Sequence, residues 1–312
     1  MRIFSKTPNF DFIGKRKYAV FLSLALFIGS IATLTVNWLN LGLDFKGGIL
    51  LEVGYPQEVK VESIRSTLSK NGFAEAVVQH IGPTGRVVTI RISEQENSSK
   101  VEISNKVLAV LNEDSKEELE IRRREFVGAK VGEELRDDGG IAMLIAIAGI
   151  LIYVMLRFEW RFAVGAITAL IHDVIITLGF FSVFKWNFDL TVLAALLAVI
   201  GYSLNDTIVV YDRIRENFRK IRKGSTLDIT NASLNQTLSR TMMTSVTTML
   251  VLVAMFFLGG EMIRPFAIAL IIGIVVGTYS SIFVASSMVL ALKIDRTHLI
   301  PTTKEEKQED SP

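Results

Sequence analysis

The sequence contains no cysteine and only three histidines, His80, His172 and His298. The chain therefore has no disulfide framework, no thiolate metal site and no thiol nucleophile, and its histidines lie too far apart to suggest a metal-binding motif. Charged residues are also scarce at 21%, whereas hydrophobic residues make up 50% and the mean hydropathy is +0.40. A soluble chain of 312 residues would not normally bury so much apolar surface, which indicates a membrane protein.

Three common catalytic motifs are missing as well. The sequence has no G-x-x-x-x-G-K-[ST] phosphate loop, no H-E-x-x-H zinc motif and no G-x-S-x-G elbow. An ATPase, a metalloprotease or an esterase therefore has no support, and neither an enzymatic activity nor a cofactor is expected. The net charge of +2 gives no sign of a nucleic-acid partner. Energy for any work would have to come from a partner or from an ion gradient across the membrane.

Six apolar stretches are each near or above the length of about twenty residues that crosses a bilayer. They are residues 18–37, 139–156, 162–184, 190–211, 241–260 and 265–292. Only helices satisfy their own backbone groups in lipid, so we expect six transmembrane helices. The basic residues 1–17 precede the first stretch, which we interpret as an uncleaved anchor because no small-x-small cleavage site follows it.

The distribution of lysine and arginine predicts the orientation. Eighteen of these residues lie in the termini and short loops on one side of the six stretches, and only Lys185 and Arg264 lie in the short loops on the other side. The positive-inside rule then places residues 1–17 and the tail 293–312 in the cytoplasm and residues 38–138 outside. The charged tail lacks apolar periodicity and is expected to be disordered.

Residues 38–138 have the composition of a soluble domain. Alternating apolar residues predict strands at 48–53, 76–81, 87–92 and 119–127, and helical spacing predicts helices at 59–70 and 101–111. The order βαββαβ is that of a ferredoxin-like α+β fold. We therefore predict an α-helical integral membrane protein with a ferredoxin-like external domain between its first two membrane helices.

Asp206 is the leading candidate for chemistry. A carboxylate inside the stretch 190–211 costs a few kcal/mol unless it is protonated, paired or exposed to water. Tyr202, Ser203 and Asn205 surround it in the sequence and favour a hydrated or proton-handling site. The alternative is a structural aspartate that is hydrogen-bonded near the end of its helix.

Three other polar residues in or directly beside the membrane stretches are further candidates. Asp173 lies beside His172 near the centre of the third stretch, and either residue could handle protons or bridge two helices. Arg240 directly precedes the fifth stretch, and Thr244 follows it one turn later. Arg240 could either snorkel to the interface or form a switchable ion pair with Asp206.

Two glycine-containing segments indicate structural roles. Gly42, Gly47 and Gly48 lie between the first helix and the first strand, where they are candidates for a hinge. In the sixth stretch, a face of small residues predicts close helix packing. Its members are Gly273, Gly277, Thr278, Ser280, Ser281, Ser286 and Ser287.

Five sequence blocks together resemble the SecF subunits of the bacterial SecD–SecF protein-export family, a branch of the resistance-nodulation-division transporters. The blocks are GLDFKGG at 42–48, ALIHDV at 169–174, IGYSLNDT at 200–207, YDRIREN at 211–217 and GTYSS at 277–281. They stand in family order, and the resemblance runs from about residue 9 to residue 295.

The resemblance implies half of a two-part transporter in the bacterial inner membrane. Its partners would be a separate SecD chain, the SecYEG channel, SecA and, as further candidates, YajC and YidC. Such a subunit would draw a translocating preprotein outward with the proton-motive force. In the family, the aspartate of the Asn-Asp block and the arginine at the start of helix five are assigned to proton conduction, which corresponds here to Asp206 and Arg240.

The sequence leaves two other functions open. One is half of a small-molecule exporter of the same superfamily, and the other is a scaffold of the translocation channel that conducts nothing. A single small external domain argues against the exporter. The polar residues within the membrane stretches argue against the scaffold.

Overall fold

The computed structural model of the chain describes residues 8–82, 84–92, 99–115 and 119–295. Within these residues, six helices are long and apolar enough to cross a membrane, as the apolar stretches predict. The predicted cytoplasmic tail lies outside the described residues from position 296 onward. Pro83, in the predicted turn between two strands, lies outside them too.

The first helix leads through a short connection into the small domain. Helix α1 spans Arg16–Asn37 and is followed by strand β1 (Asn40–Leu41) and the single turn α2 (Leu43–Lys46). The domain then consists of β2 (Gly48–Gly54), α3 (Val61–Lys70), β3 (Val77–Ile81), β4 (Val87–Ile92), α4 (Lys100–Ser115) and β5 (Glu120–Val127). Its four strands form an antiparallel sheet in the order β3-β4-β2-β5, and the predicted βαββαβ arrangement is confirmed.

The alternation of apolar residues decides which face of this sheet is buried. Ile49, Leu51 and Val53 on β2, with Val88 and Ile90 on β4, are almost completely buried under α3 and α4. Each such side chain contributes about 1.5–3 kcal/mol when it leaves water. The residues between them point to the opposite face, which carries polar side chains and is turned toward the membrane helices.

The remaining elements form most of the membrane part. They are α5 (Ala129–Arg157), α6 (Trp160–Phe184), β6 (Asn187–Phe188), α7 (Leu190–Lys220), α8 (Thr226–Leu258), α9 (Gly260–Ser280), a π-helical turn (Ser281–Ala285) and α10 (Ser286–Ala291). The last three form one continuous span. We call the end of the helix bundle that carries the small domain the domain side, and the opposite end the far side.

The helices extend further than the apolar stretches from which they were predicted. Helix α7 continues to Lys220 instead of ending near 211, and α8 begins at Thr226 instead of 241. The start of α8 is fixed by a capping box, in which Ser225 and Asp228 satisfy each other's backbone N–H groups. Charges mark where a chain leaves the bilayer, whereas a helix continues until its backbone is capped.

Three spans form the centre of the bundle, and three lie at its edge. About half of the residues in the apolar parts of α6, α7 and the last span are buried, compared with 11–17% in α1, α5 and α8. The outer helices therefore present apolar surface to lipid or to another protein. The polar candidates Asp173 and Asp206 belong to the central helices.

On the far side, the segment before α1 is held against α8 by two asparagine side chains one turn apart. Asn235 accepts a hydrogen bond from Phe10 N at 2.8 Å and donates one to Phe10 O at 2.8 Å. Asn231 accepts one from Phe12 N at 2.9 Å, and the Phe12 ring packs edge-on against Phe283 in the π-helical turn. These contacts connect the start of the chain to the helix that carries Arg240.

Candidate functional site

The carboxylate of Asp173 is the centre of a hydrogen-bond cluster that joins three membrane helices. Asp173 lies on α6 and is fully buried. Its Oδ2 accepts hydrogen bonds from the Ser203 hydroxyl of α7 at 2.5 Å and from the Ser280 hydroxyl of α9 at 2.7 Å. Interhelical hydrogen bonds of this kind contribute about 0.6–2 kcal/mol each in a membrane. The cluster therefore fixes how α6, α7 and α9 pack together.

A glycine on α9 makes this close packing feasible. At Gly277, a Cβ atom would lie 3.0 Å from the Cβ of Ser203 and 3.5 Å from Oδ2 of Asp173. A larger residue would push α9 away from α7 and lengthen both hydrogen bonds. The small-residue face predicted for this helix thus brings Ser280 within reach of the carboxylate.

His172 extends the cluster toward α1. Its Nδ1 lies 2.9 Å from Oδ1 of Asp173, and its ring is parallel to that of Phe27 on α1. The side chain is buried, and Nε2 has no hydrogen-bond partner among the described residues. His172 therefore connects the Asp173 carboxylate to α1.

Asp206 lies in a different setting on α7. The residue is only 2% exposed, yet its Oδ2 accepts no hydrogen bond within the part of the chain that the structure describes. The positive charge of Arg240 on α8 acts on this carboxyl group electrostatically. Among the described residues, no hydrogen bond joins Asp206 and Arg240. A buried carboxyl group without a partner is costly in a membrane, and such groups commonly mark proton or ion pathways.

Arg240 lies at nearly the same depth as Asp206. At 1.5 Å per residue, Asp206 is about 24 Å and Arg240 about 27 Å from the domain-side ends of their helices. By the same measure, Asp173 is about 17 Å from the domain-side end of α6. The side chain of Arg240 is exposed at the surface of this chain, so a change in its surroundings can reach Asp206.

Ser203 links the two aspartates. It donates to Asp173 and precedes Asp206 by three residues, about one turn, on the same helix. Any rotation or sliding of α7 that moves Asp206 must also strain or break the bond between Ser203 and Asp173. The arrangement can therefore couple the protonation of one carboxyl group to the position of a whole helix.

The polar residues predicted to surround Asp206 contact other partners instead. Ser203 belongs to the Asp173 cluster, and the Tyr202 hydroxyl donates to Ser245 of α8 at 3.4 Å. Asn205 is exposed at the surface of the chain, beside the buried aspartate. Thr244 donates to the backbone oxygens of Arg240 and Thr241 within α8.

Three hydroxyl groups in these networks were not predicted as site residues. Thr278 and Ser280 were predicted only as part of a face for helix packing, whereas Ser280 binds Asp173 directly. Ser245 and Thr278 form a hydrogen bond of 2.8 Å between α8 and α9. Their common signal in the sequence is a hydroxyl residue within an apolar helix, which is often found at helix contacts.

Comparison with known proteins shows the family to which this chain belongs. A sequence profile described as "Protein export membrane protein SecD/SecF, C-terminal" matches residues 107–295. A second profile, "SecD/SecF GG Motif", matches residues 33–59. The chain belongs to the SecD/SecF family. It is a multi-pass membrane protein of the Sec protein-export machinery.

Relatives of this family share nearly the whole chain. A protein of Vibrio alginolyticus named protein translocase subunit SecF is 49% identical over 98% of this chain and 97% of the relative. A protein of the same name from Pseudomonas aeruginosa is 44% identical over 98% of this chain and 99% of the relative. The exporter and scaffold alternatives are not favoured by these relatives, which are named as translocase subunits.

Solved SecDF structures resemble the chain as well. The crystal structure of SecDF from Thermus thermophilus matches 93% of this chain with a TM-score of 0.84 and 38% identity. A SecDF structure described as a super-membrane-facing form matches the same share with a TM-score of 0.69. This chain spans 40% of the length of each of these SecDF chains.

The three glycines of the SecD/SecF GG motif region lie at close contacts. Gly42 N donates a hydrogen bond to Phe188 O at 2.7 Å. Gly47 and Gly48 have positive φ angles of 69° and 116°, which glycine adopts readily. A Cβ at Gly47 would lie 2.6 Å from the Cα of Ala129, at the start of α5. Their role as a hinge remains a prediction.

Proposed function

We infer that this chain promotes preprotein export as the proton-driven partner of SecD. The observation that carries this proposal is the buried Asp206, whose Oδ2 has no hydrogen-bond partner among the described residues and which lies at nearly the same depth as Arg240. A carboxyl group in this setting can bind a proton from one side of the membrane and release it to the other. Each proton that crosses a potential of 100 mV supplies about 2.3 kcal/mol.

Asp173 and His172 form the second station of this proton path. They are buried closer to the domain side, and Ser203 connects them to the helix of Asp206. When Asp206 changes its charge, its attraction to Arg240 changes as well, and α7 shifts against α6 and α9. Proton transfer is thereby coupled to helix movement.

SecD completes the path from outside this chain. Asn205 and Arg240 are exposed on this chain although they lie at membrane depth, and such polar groups need a partner in the bilayer. The apolar helices α1, α5 and α8 are mostly exposed as well. A second transporter half of similar architecture would cover these groups, and the whole path would exist only in the assembled pair.

The proposed orientation has both termini in the cytoplasm and the small domain outside the inner membrane. It is supported by the excess of lysine and arginine on the far side of the bundle. In this orientation Asp206 lies nearer the cytoplasm, and the domain faces the exit of the SecYEG channel. SecA would start translocation from the cytoplasm, and YajC and YidC are further partners that we propose.

Translocation in vesicles tests the proposed function. SecA and ATP first insert a preprotein into vesicles that contain SecYEG, after which ATP is removed and a proton gradient is imposed. We expect translocation to be completed only when SecD and this chain are both present, and to stop when an uncoupler removes the gradient. Completion that is independent of the gradient, or that occurs equally without this chain, would contradict the proposal.

A further inference from the structure

The polar face of the external sheet lies opposite the domain-side ends of the membrane helices. A cavity of about 990 Å³ separates them. On the sheet side it is lined by Glu52, Thr89 and Arg91, and on the membrane side by Phe184 and Trp186. The sheet and the helix ends therefore do not pack continuously, and the contacts that cross the gap determine how the domain is held.

Arg91 of β4 makes direct contacts across this gap. It lies between Ile90 and Ile92, whose side chains point into the domain core, so the alternation of the strand directs Arg91 toward the membrane part. Its Nη1 donates to Leu41 O at 2.8 Å, and its Nη2 donates to Oδ1 of Asn187 at 3.1 Å. One planar guanidinium thus binds both the connection from α1 and the loop before α7.

Asn187 is the membrane-side centre of these contacts. Its Oδ1 also accepts a hydrogen bond of 2.8 Å from Nδ2 of Asn40. The backbones of the two segments pair as parallel strands, with Asn40 opposite Asn187 and Leu41 opposite Phe188. The side-chain and backbone bonds together join the entrance of the domain to the α6–α7 loop.

A further contact continues from this junction into α7 itself. Oδ2 of Asp44 accepts a hydrogen bond of 3.0 Å from the backbone N–H of Leu190, the first residue of α7. The negative charge of Asp44 lies at the positive end of the helix dipole, where it stabilises the helix start. The helix that is fixed here carries Ser203 and Asp206 further along its length.

The Arg91 side chain is fixed by hydrogen bonds and nearby charges, but not all of its N–H groups have partners among the described residues. Burial lowers the pKa of the Arg91 guanidinium, and the negative charges of Asp189 and Asp44 oppose this effect. The Nε atom is buried and has no partner among the described residues. A cation in such a place depends on its few hydrogen bonds, so the loss of one acceptor weakens the contact strongly.

We propose that Arg91 and Asn187 form a latch that positions the external domain on the domain-side end of α7 and thereby couples helix movement to the domain. The inference rests on the proposed function, because it gives the proton-driven movement of α7 a route to the external domain. Arg91 is a positioning residue in this scheme. It takes no part in proton transfer or preprotein binding in this scheme, and it acts through the loop that precedes α7.

Spin labels can measure the latch in the complex with SecD, because this chain has no cysteine of its own. Cysteines would be introduced at the exposed positions Ser66 on α3 and Val183 on α6, in combination with a SecD that lacks cysteine. We expect one narrow distance distribution for the parent protein. Arg91→Gln and Asn187→Ala should each broaden it, whereas Arg65→Gln, at an exposed position of the same domain, should leave it unchanged.

Measuring both export and proton flux distinguishes a loss of coupling in the latch variants from a loss of folding. Coupling between two sites commonly amounts to a factor of about 5 or more, so we expect Arg91→Gln to reduce gradient-driven export about five-fold while proton flux persists. Asn187→Ala changes no residue of the domain and should have the same effect. The double variant should be no worse than either single variant, because both changes break one latch.

Two results would overturn the latch. The first is that Arg91→Gln and Asn187→Ala both show the same distance distribution and the same export rate as Arg65→Gln. The other is a loss of proton flux in parallel with export, which would mean that the membrane site itself is damaged. If Asp206→Asn had no effect, the proposed function would fail, whereas effects of Asp206→Asn without effects of Arg91→Gln would refute the latch alone.

Discussion

Replacing Asp206 with asparagine is expected to abolish the gradient-dependent part of preprotein export. Asparagine has nearly the same size but cannot bind and release a proton, so the membrane part should remain folded while the site loses its chemistry. We expect the gradient-driven rate to fall by a factor on the order of ten or more, which corresponds to about 1.4 kcal/mol or more in the barrier. The measurement is the translocation assay in vesicles that contain SecD.

Asp212→Asn provides a matched control for this variant. Asp212 lies on the same helix, about 9 Å further toward the far side at 1.5 Å per residue. It forms an exposed ion pair with Arg157 at 2.9 Å, and exposed pairs contribute at most about 1 kcal/mol. Export in Asp212→Asn should therefore stay close to that of the parent protein. Equal rates in the two variants would show that Asp206 has no special role.

Replacing Asp173 with leucine is expected to destabilise the bundle as well as to stop export. The change removes the acceptor that Ser203 and Ser280 share and the carboxylate beside His172, although Ser280 keeps its hydrogen bond of 3.1 Å to Gly277 O. Losing two interhelical bonds costs roughly 1–4 kcal/mol in a membrane. The measurement is the thermal unfolding midpoint in detergent, which should fall clearly below that of the parent protein.

Asp173→Asn separates the structural role of this residue from its role in proton transfer. The asparagine oxygen can still accept hydrogen bonds from the serine hydroxyls, so the unfolding midpoint should stay close to that of the parent protein. Export should nevertheless fall, because the second station of the path no longer titrates. Normal export in Asp173→Asn would mean that Asp173 serves helix packing alone.

Much of the architecture could be predicted from patterns along the chain. Apolar stretches of about twenty residues with few charges indicate membrane helices because lipid disfavours charge, and alternation in the small domain indicates strands with one buried face. The ends of α7 and α8 could not be found in this way. Beyond the bilayer a helix continues on polar residues, and its end depends on capping.

The candidate site could be predicted only in part. The cost of burying a carboxyl group singles out Asp173 and Asp206 from the sequence alone. Their partners depend on the rotation of each helix in the bundle, which places Ser203 against Asp173 although it is closer in sequence to Asp206. Arg91 could not be recognised, because an arginine between two isoleucines of a strand fits a solvent-facing position equally well.

Proton flux across reconstituted vesicles tests the central claim most directly. With an imposed gradient, we predict a proton flux in vesicles that contain SecD and this chain together, and only background flux in vesicles that contain this chain alone. Asp206→Asn should reduce the flux of the pair to the same background. An unchanged flux in Asp206→Asn, or an equal flux through this chain without SecD, would contradict the account.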